Sequence, residues 1–473
     1  YAQADYNYRN RYFLQVAASM ESSSTFGKKA TSLRIGDVAW GFFPSIQAGW
    51  VVTNENWAPK NKNFNYLRLN AGYEVTGNDN INNKAARTSF EVLKFLHNNI
   101  PAVQLNNIGN ENITYEKTRR FYTGFESQWL ENRLGLDFTF FFNHTTNLLT
   151  LKDFTTPVAG VKSYWSNEGS LDNKGVEVHI NGKPIVSRKF TLELGASIGH
   201  YLNVIKSLPN NTTLALNGQE NAAVGYTSSI YGNQNIATLV NHSAGVFYGY
   251  KTAGVFSTDA EAKAAGKDGY LYQVDETGAE SYFKAGDMHF VDLNGDGIIN
   301  ESDKTIIGNP NPKLYGNFFA HATWGNLTLS AIFGYSIGND IYNYQRSILE
   351  GGNNFYNQTS AMTDRWRVEG QVTNMPRISY GDEMGNSRFS DRWIEDGSYL
   401  KLRSLNINYK IPVNSSWLQG LQVWAEANNL FTISKYLGGD PEMSVSNAVL
   451  YQGIDTGCVS QGRTFTVGVK INL

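Results

Sequence analysis

A period of two runs unbroken to the end of the chain. From Arg463 to Leu473, the residues Phe465, Val467, Val469, Ile471 and Leu473 alternate with Thr464, Thr466, Gly468, Lys470 and Asn472. That is the signature of a strand with one apolar and one polar face. A soluble sheet rests such a face on a core, whereas a membrane barrel turns it to lipid and keeps the polar face on a wet lumen. One strand does not choose between them, but repetition does. Strands are read at Ala2–Tyr8, Arg11–Met20, Gly41–Val52, Asn65–Thr76, Thr118–Trp129, Leu134–Thr150, Asn173–Ile180 and Phe190–Tyr201. They return at Leu314–Trp324, Leu327–Ile337, Tyr399–Ile411 and Leu421–Ile433. In the strand from Leu134, the residues Leu136, Phe138, Phe140 and Phe142 share the outward face. Tyr399–Ile411 changes phase after Arg403, through either a bulge or a patch apolar on both faces.

The connections sort by length. Short ones (Arg9-Asn10, Glu131–Arg133, Pro184–Lys189, Gly325-Asn326, Pro412–Gly420) alternate with long polar ones (Ser22–Ala39, Asn78–Asn112, Asn203–Pro312 and the stretch before Gly397). A short helix is expected around Phe90–Leu96, and Asn203–Pro312 reads mostly as loop. Tight periplasmic turns and long extracellular loops are the habit of outer-membrane barrels. A soluble sandwich has no reason to sort its loops this way. The fold expected is therefore all-β, an antiparallel transmembrane barrel with residues 205–311 as a long extracellular loop region and the C-terminus periplasmic. The reading gives about thirteen crossings, whereas single-chain bacterial barrels have an even number. An open sheet edge cannot face lipid unsatisfied. Residues 1–473 are accordingly expected to be a partial barrel, the C-terminal part of a larger one or one chain of a barrel that another chain completes.

Composition closes off other classes. No run approaches the roughly 20 apolar residues of a membrane helix, and a net charge of −2 offers no basic field for nucleic acid. The 27 Tyr, 26 Phe and 10 Trp beside 45 Gly suit strands, turns and interfacial girdles. Cys458 stands alone, so no internal disulfide forms. The chain opens on strand-like sequence with no signal peptide, which for a barrel implies that its start, with any plug and the first strands, is missing.

Asp292-Leu-Asn294-Gly-Asp296-Gly297-Ile298-Ile-Asn300-Glu-Ser-Asp303 is the strongest local motif. Oxygen-bearing side chains stand at the first, third, fifth, ninth and twelfth places of a calcium loop, with Gly297 sixth and the Ile298 carbonyl seventh. A hard cation needs oxygens converging from a tightly turned loop, so Asp292, Asn294, Asp296, Ile298, Asn300 and Asp303 are the candidate Ca2+ ligands. Asp303 stands where the usual loop has Glu, and the shorter carboxylate closes the site less readily. The alternative is a hydrated acidic loop whose Asp and Asn side chains cap turns.

Gly195-Ala-Ser197-Ile-Gly199 and Gly334-Tyr-Ser336-Ile-Gly338 match the hydrolase G-x-S-x-G pattern, but both lie in or at the end of alternating strands where an elbow needs a strand-to-helix turn. No zinc-protease, Walker or dinucleotide motif is present, and no enzyme is expected. Tyr12, Trp50, Trp129, Trp324, Tyr399 and Trp424 sit near strand ends, as sugar-stacking platforms or, more simply, as girdle and lumen packing. The loop stretches Tyr231–Asn235 and Asn353–Asn357 are better placed for ligand or partner contact.

Several stretches resemble one family. They are Trp40-Gly-Phe-Phe-Pro-Ser-Ile-Gln-Ala-Gly-Trp50, Leu67-Arg-Leu-Asn-Ala-Gly-Tyr-Glu-Val-Thr-Gly-Asn78, Asn173-Lys-Gly-Val-Glu-Val178 and Val291-Asp-Leu-Asn-Gly-Asp-Gly297 running into Ile307-Gly-Asn-Pro-Asn-Pro-Lys313. Tyr399-Leu-Lys-Leu-Arg403, Asn428-Asn-Leu-Phe-Thr432 and Gly439-Asp-Pro-Glu442 complete the set. In order and over almost the whole chain, they resemble SusC/RagA-type TonB-dependent transporters of Bacteroidetes. The resemblance implies a plugged barrel of about 22 strands in a Gram-negative outer membrane, capped by a SusD-like lipoprotein. It implies import of oligosaccharides or peptides, powered through TonB. The chain departs from the family in lacking the plug, the TonB-contacting segment and enough strands, and in ending on Leu473 where an aromatic is common. Two other readings stand beside the importer: a scaffold barrel subunit without transport of its own, and a soluble all-β carbohydrate-binding protein whose Phe138/Phe140/Phe142 face packs on a second sheet.

Overall fold

Alternating side chains become two-faced sheet. The computed structural model describes residues 1–472 apart from 31, 37, 60, 82–84, 95–100, 159, 209–212, 215–222, 229–235, 268, 414–416 and 447. Two compact units divide it: Tyr1–Asn210 with Ala320–Trp324, and Asn211–Phe319 with Gly325–Leu473.

In the first unit the strands are β1 (Ala2–Tyr8), β2 (Tyr12–Glu21), β3 (Val38–Val51), β4 (Phe64–Asn78), β5 (Glu116–Trp129), β6 (Leu134–Thr146), β7 (Ser170–Val186) and β8 (Phe190–Ser207). Each pairs antiparallel with the next. The register sorts the faces. One row crosses β1 to β8 as Tyr8, Tyr12, Trp50, Leu69, Phe125, Phe138, Val178 and Ile198, apolar or aromatic at every step. On the opposite face Arg68, Glu126, Asp137, His179 and Ser197 lie side by side, and so do Glu74, Arg120, Asn143, Asn173 and Asn203. The apolar row is open to the surroundings, with Leu69 and Ile198 about two-fifths exposed. Phe138, Phe140 and Phe142 are half-buried and join none of the core clusters among the described residues. A second sheet packed on them, as the soluble reading requires, is absent from the described residues. An exposed apolar band opposite a polar face is what a lipid-spanning strand needs.

Two local readings change. Ser89–Lys94 is a strand paired with Pro101–Asn107, where a helix was expected around Phe90–Leu96; residues 95 and 96 lie outside the described residues. Phe90 and Val92 alternate with Glu91 and Leu93, and a cross-strand partner of Ala102 to Leu105 settles an ambiguous short run as sheet. The strand from Leu134 stops at Thr146 because Asn147 takes a left-handed φ of 58°, and Leu149–Val158 folds back on Val161–Asn167 as a separate hairpin.

In the second unit the strands are β9 (Leu314–Trp324, whose second half groups with the first unit), β10 (Leu327–Ile337), β11 (Tyr399–Ile411), β12 (Gly420–Ser434) and β13 (Thr464–Asn472). β10, β11, β12 and β13 pair in that order, antiparallel. The phase change after Arg403 is a bulge. Leu402 and Ser404 face the adjacent Phe333 and Ile332, so Arg403 has no cross-strand partner in β10. On the other side the register also shifts, with Asn429 at φ 55°. On β13 the residues Phe465, Val467, Val469 and Ile471 all point outward, exposed, while the Trp424 ring on β12 packs over Gly468.

The stretch Asn203–Pro312 is far more folded than its sequence suggests. It carries the strands Ile236–Leu239, Val246–Tyr250 and Lys304–Gly308 and a helix Asp259–Ala265, N-capped by Thr258. With the connections before β11 and before β13 it builds its own core. Phe247, Tyr342, Trp393 and Ile454 form one cluster, and Tyr250, Phe256, Leu271, Phe283, Met288, Phe290, Ile299 and Met384 form another.

Candidate ligand site in the long connections

The two cores leave a cavity of about 480 Å³ between their aromatic residues, within the range of small-ligand pockets. Tyr248 and Tyr250 enter from the strand Val246–Tyr250, Tyr344 from the start of the helix Tyr344–Leu349, and Asn353, Ser387 and Arg388 from the following irregular chain. Burial pushes both the Tyr248 and Tyr250 hydroxyls up to about 12, so they stay protonated and can donate.

Arg388 is fixed before any ligand arrives. Its Nε donates to the Gly385 carbonyl at 2.9 Å and one Nη to the Met384 carbonyl at 2.8 Å, and the side chain also bonds Gln273. The guanidinium lies 4.7 Å from the Phe290 ring centre and 5.1 Å from that of Tyr250, a cation held against π faces. Lys304, buried and 5.4 Å from the Tyr250 ring, pairs with Glu301 at 2.7 Å. Behind the wall Arg346 bridges Glu350 at 2.9 Å and Glu395 at 2.6 Å beneath Trp393. Aromatic faces, an amide and preset cations suit a polar ligand with flat or ring-shaped surfaces.

A second constellation anchors the connection before β13. Lys401 on β11 is 2% exposed, and its Nζ donates to Glu442 at 2.7 Å and to Asp440 at 3.1 Å. The Tyr399 hydroxyl donates to the other oxygen of Glu442 at 2.6 Å, and Arg403 reaches that same oxygen. Burial works to raise the Glu442 carboxyl, but the hydrogen bonds from Lys401 and Tyr399 and the Arg403 charge outweigh it and hold the group below its ordinary value. Two sequence stretches quoted for the family resemblance, Tyr399–Arg403 and Gly439–Glu442, thus meet as one clasp. The Arg403 bulge turns that side chain toward the clasp.

The calcium-like loop turns as its glycines require, with Gly295 at φ 74° and Gly297 at φ 85°. Asp292 accepts the amides of Gly295 and Gly297, each at 2.7 Å, and Asn294 accepts Asp296 N at 3.0 Å. Asp296 accepts Ile298 N at 2.8 Å. Asp303 is fully buried and accepts the amides of Leu293 and Asn300, the latter within a capping box with Asn300. Among the described residues, no group of three or more His, Cys, Asp or Glu is gathered closely enough to hold a metal ion.

Ser197 and Ser336 lie within β8 and β10, and Ser336 donates to Asn339 at 2.7 Å, so neither forms an elbow. Tyr12 stacks with Tyr8 and with Trp50, and Tyr12 and Trp50 both donate to Glu55, while Trp129 lies against Phe64. Trp324 is exposed at the β9–β10 turn, and Trp424 packs against β13. Of the loop stretches, Asn353 reaches the cavity and bonds Ser387 at 3.0 Å, Phe355 and Tyr356 are exposed, and Tyr231–Asn235 lies outside the described residues. Apart from Asn353, the cavity's residues escaped the sequence reading. Val246-Phe-Tyr-Gly-Tyr250 is buried on both faces and shows no alternation, so only its unbroken apolar run marks it.

Sheets with lipid-suited and polar faces, joined alternately by tight turns and long folded connections, define the class of outer-membrane barrel proteins. Comparison with known proteins narrows this. The family model described as TonB dependent receptor-like, beta-barrel matches residues 1–298, and the chain belongs to that family, which places it in the outer membrane. TonB-dependent receptor P3 of Formosa agariphila is 27% identical over 484 residues, covering 100% of this chain and 45% of that protein. TonB-dependent receptor SusC of Bacteroides thetaiotaomicron is 25% identical over 492 residues, covering 100% of this chain and 43% of that protein. The structure of the RagAB peptide importer in its closed-closed state superposes with a TM-score of 0.77 at 21% identity, over 99% of this chain and 47% of that one. The chain therefore spans less than half the length of the relatives it matches, and shares their barrel fold.

Proposed function

We propose that the protein carrying this chain is a TonB-powered outer-membrane importer of oligosaccharides or peptides, partnered by a SusD-like surface lipoprotein. The long connections face outward and the short turns face the periplasm. No covalent chemistry is involved: ligand is held by aromatic faces and fixed donors, then released inward. The observation that carries this reading is the cavity of Tyr248, Tyr250, Tyr344, Asn353 and Arg388 among the long connections of a TonB-dependent receptor barrel. The test is calorimetric titration of the purified full-length protein with defined oligosaccharide and peptide pools. One pool gives saturable heat, and Tyr344→Ala weakens that binding about tenfold, the size of a lost aromatic contact. Binding of neither pool, or binding unmoved by Tyr344→Ala and Asn353→Ala, would remove the cavity from the mechanism.

We also propose that the loop Asp292–Asp303, whose three carboxylates do not converge in this structure, closes on Ca2+ through the side chains of Asp292, Asn294, Asp296, Asn300 and Asp303 and the Ile298 carbonyl. Donor spacing and the two left-handed glycines support it. Carboxylate oxygens that accept one amide keep a second lone pair for a cation. Titration of the metal-free protein with calcium chloride should show one binding event that Asp296→Ala abolishes; no heat from the unaltered protein overturns the proposal.

A further inference from the structure

On the lipid-suited face of the first unit, at its short-turn end, the structure holds a groove of about 480 Å³. Three cations line it: Lys62 from the turn before β4, Arg133 from the turn between β5 and β6, and Lys183 from the end of β7. Main-chain hydrogen bonds set them side by side. Glu131 N donates to the Lys62 carbonyl at 2.9 Å, and Lys183 N donates to the Arg133 carbonyl at 2.7 Å. Lys183 and Pro184 are pushed out of register by a bulge between Gly182 and Ile185, which brings the lysine to the rim.

The anions nearby do not use up these charges. Lys62 meets Glu131 at 3.6 Å with both side chains mostly exposed, and Lys183 meets Glu193 at 3.9 Å. Such exposed pairs bind weakly. Among the described residues no ion pair engages Arg133. Within the groove three cations therefore face one carboxylate, that of Glu131.

Beyond the cations the groove is apolar, walled by Leu130, Leu134 and Pro184. Gly182 sits in register between Leu134 of β6 and Leu194 of β8, in the apolar row. Where neighbouring rows carry Ile180 or Val178 it has no side chain, and a Cβ there would find its nearest atoms 3.7 Å away. A slot on an apolar face with cations at its rim suits a phospholipid: phosphate at the rim and an acyl chain along the slot.

We propose that Lys62, Arg133 and Lys183 bind the headgroup of an anionic phospholipid, with its acyl chain laid over Gly182. This rests on the reading that the short turns face the periplasm, since phospholipids fill the periplasmic leaflet. The binding itself is measured without any transport or topology assay. The full chain is purified from outer membranes in detergent, offered phosphatidylglycerol or phosphatidylethanolamine, and examined by native mass spectrometry. Only molecules that keep the heat-modifiable migration of a folded barrel are scored.

The unaltered protein should retain phosphatidylglycerol in preference to phosphatidylethanolamine. Arg133→Gln with Lys183→Gln should weaken that retention roughly 20-fold, as expected for two cations at an anionic lipid surface. Gly182→Leu keeps every charge but fills the slot, and should lower retention of both lipids. It also serves if the double variant does not fold. Equal retention of the two lipids, retention unchanged in these variants, or displacement of phosphatidylglycerol by inorganic phosphate alone would overturn the proposal.

Discussion

The strands and the long connections of this chain are stabilised in opposite ways. Along β1 to β8 the large apolar side chains stand outward and open, and the opposite face holds Arg68, Glu126, Asp137 and His179 in one polar row. Such a sheet has little protein core and depends on its hydrogen-bond ladder and on lipid. The connections of the second unit instead enclose Phe247, Phe256, Phe283, Phe290 and Trp393, each almost wholly buried. They fold as a soluble domain does. The strands thus tolerate change on the side chain's own terms, outward or inward, whereas the connections respond to cavities and stranded charges.

The strongest test of that contrast is a cavity. Trp393→Ala should cost the connections about 3–5 kcal/mol, seen as rapid proteolysis between β10 and β11 while the strands keep their heat-modifiable migration. If both fail together, the two regions are one cooperative unit. Next comes the clasp. Lys401→Ala leaves the buried Asp440 without its cation and Glu442 with Arg403 alone, and should cost about 3–5 kcal/mol. The loss should show as protease sensitivity confined to the connection before β13. On the strands the effect should depend on the face. Val178→Arg, outward, should cost about 2–4 kcal/mol if it lies near the bilayer midplane, whereas His179→Arg, inward, should cost far less. Urea unfolding in vesicles measures both, and equal costs would mean the faces are wrongly assigned.

The smallest effect is with pH. Glu442 has a folded pKa below its ordinary 4.5, so the folded state holds fewer protons than the unfolded one in that range. Its contribution is complete above pH about 4.5 and is lost as pH falls through the depressed folded value. Protease protection of the connection before β13 should fade in that acid window and hold at neutral pH. In Glu442→Gln the fading should disappear.

The strands were legible because a period of two needs only one apolar face to show. Every strand from β1 to β13 was anticipated, with β6 read past the left-handed Asn147 that ends it, and β7 and β8 read short of their ends at Val186 and Ser207. The phase change at Arg403 was legible too, since a bulge inverts alternation for all that follows. The connections were illegible for the converse reason. Strands such as Ile236–Leu239 and Val246–Tyr250 are short and buried on both faces, so they carry no alternation. The cavity draws Tyr250, Tyr344 and Arg388 from distant segments, a meeting that only folding makes. The clasp lay between: both of its stretches were visible as family-like motifs, but nothing in the sequence paired Lys401 with Glu442.

The most direct measurement is cysteine accessibility on intact cells, in a background where Cys458 is replaced by serine. Phe355→Cys places a thiol at an exposed site in a long connection, and Arg188→Cys places one in the short turn between β7 and β8. A membrane-impermeant maleimide should label Phe355→Cys on whole cells and Arg188→Cys only after the outer membrane is opened. Labelling of Arg188→Cys on intact cells, with Phe355→Cys protected, would contradict an outward-facing ligand site.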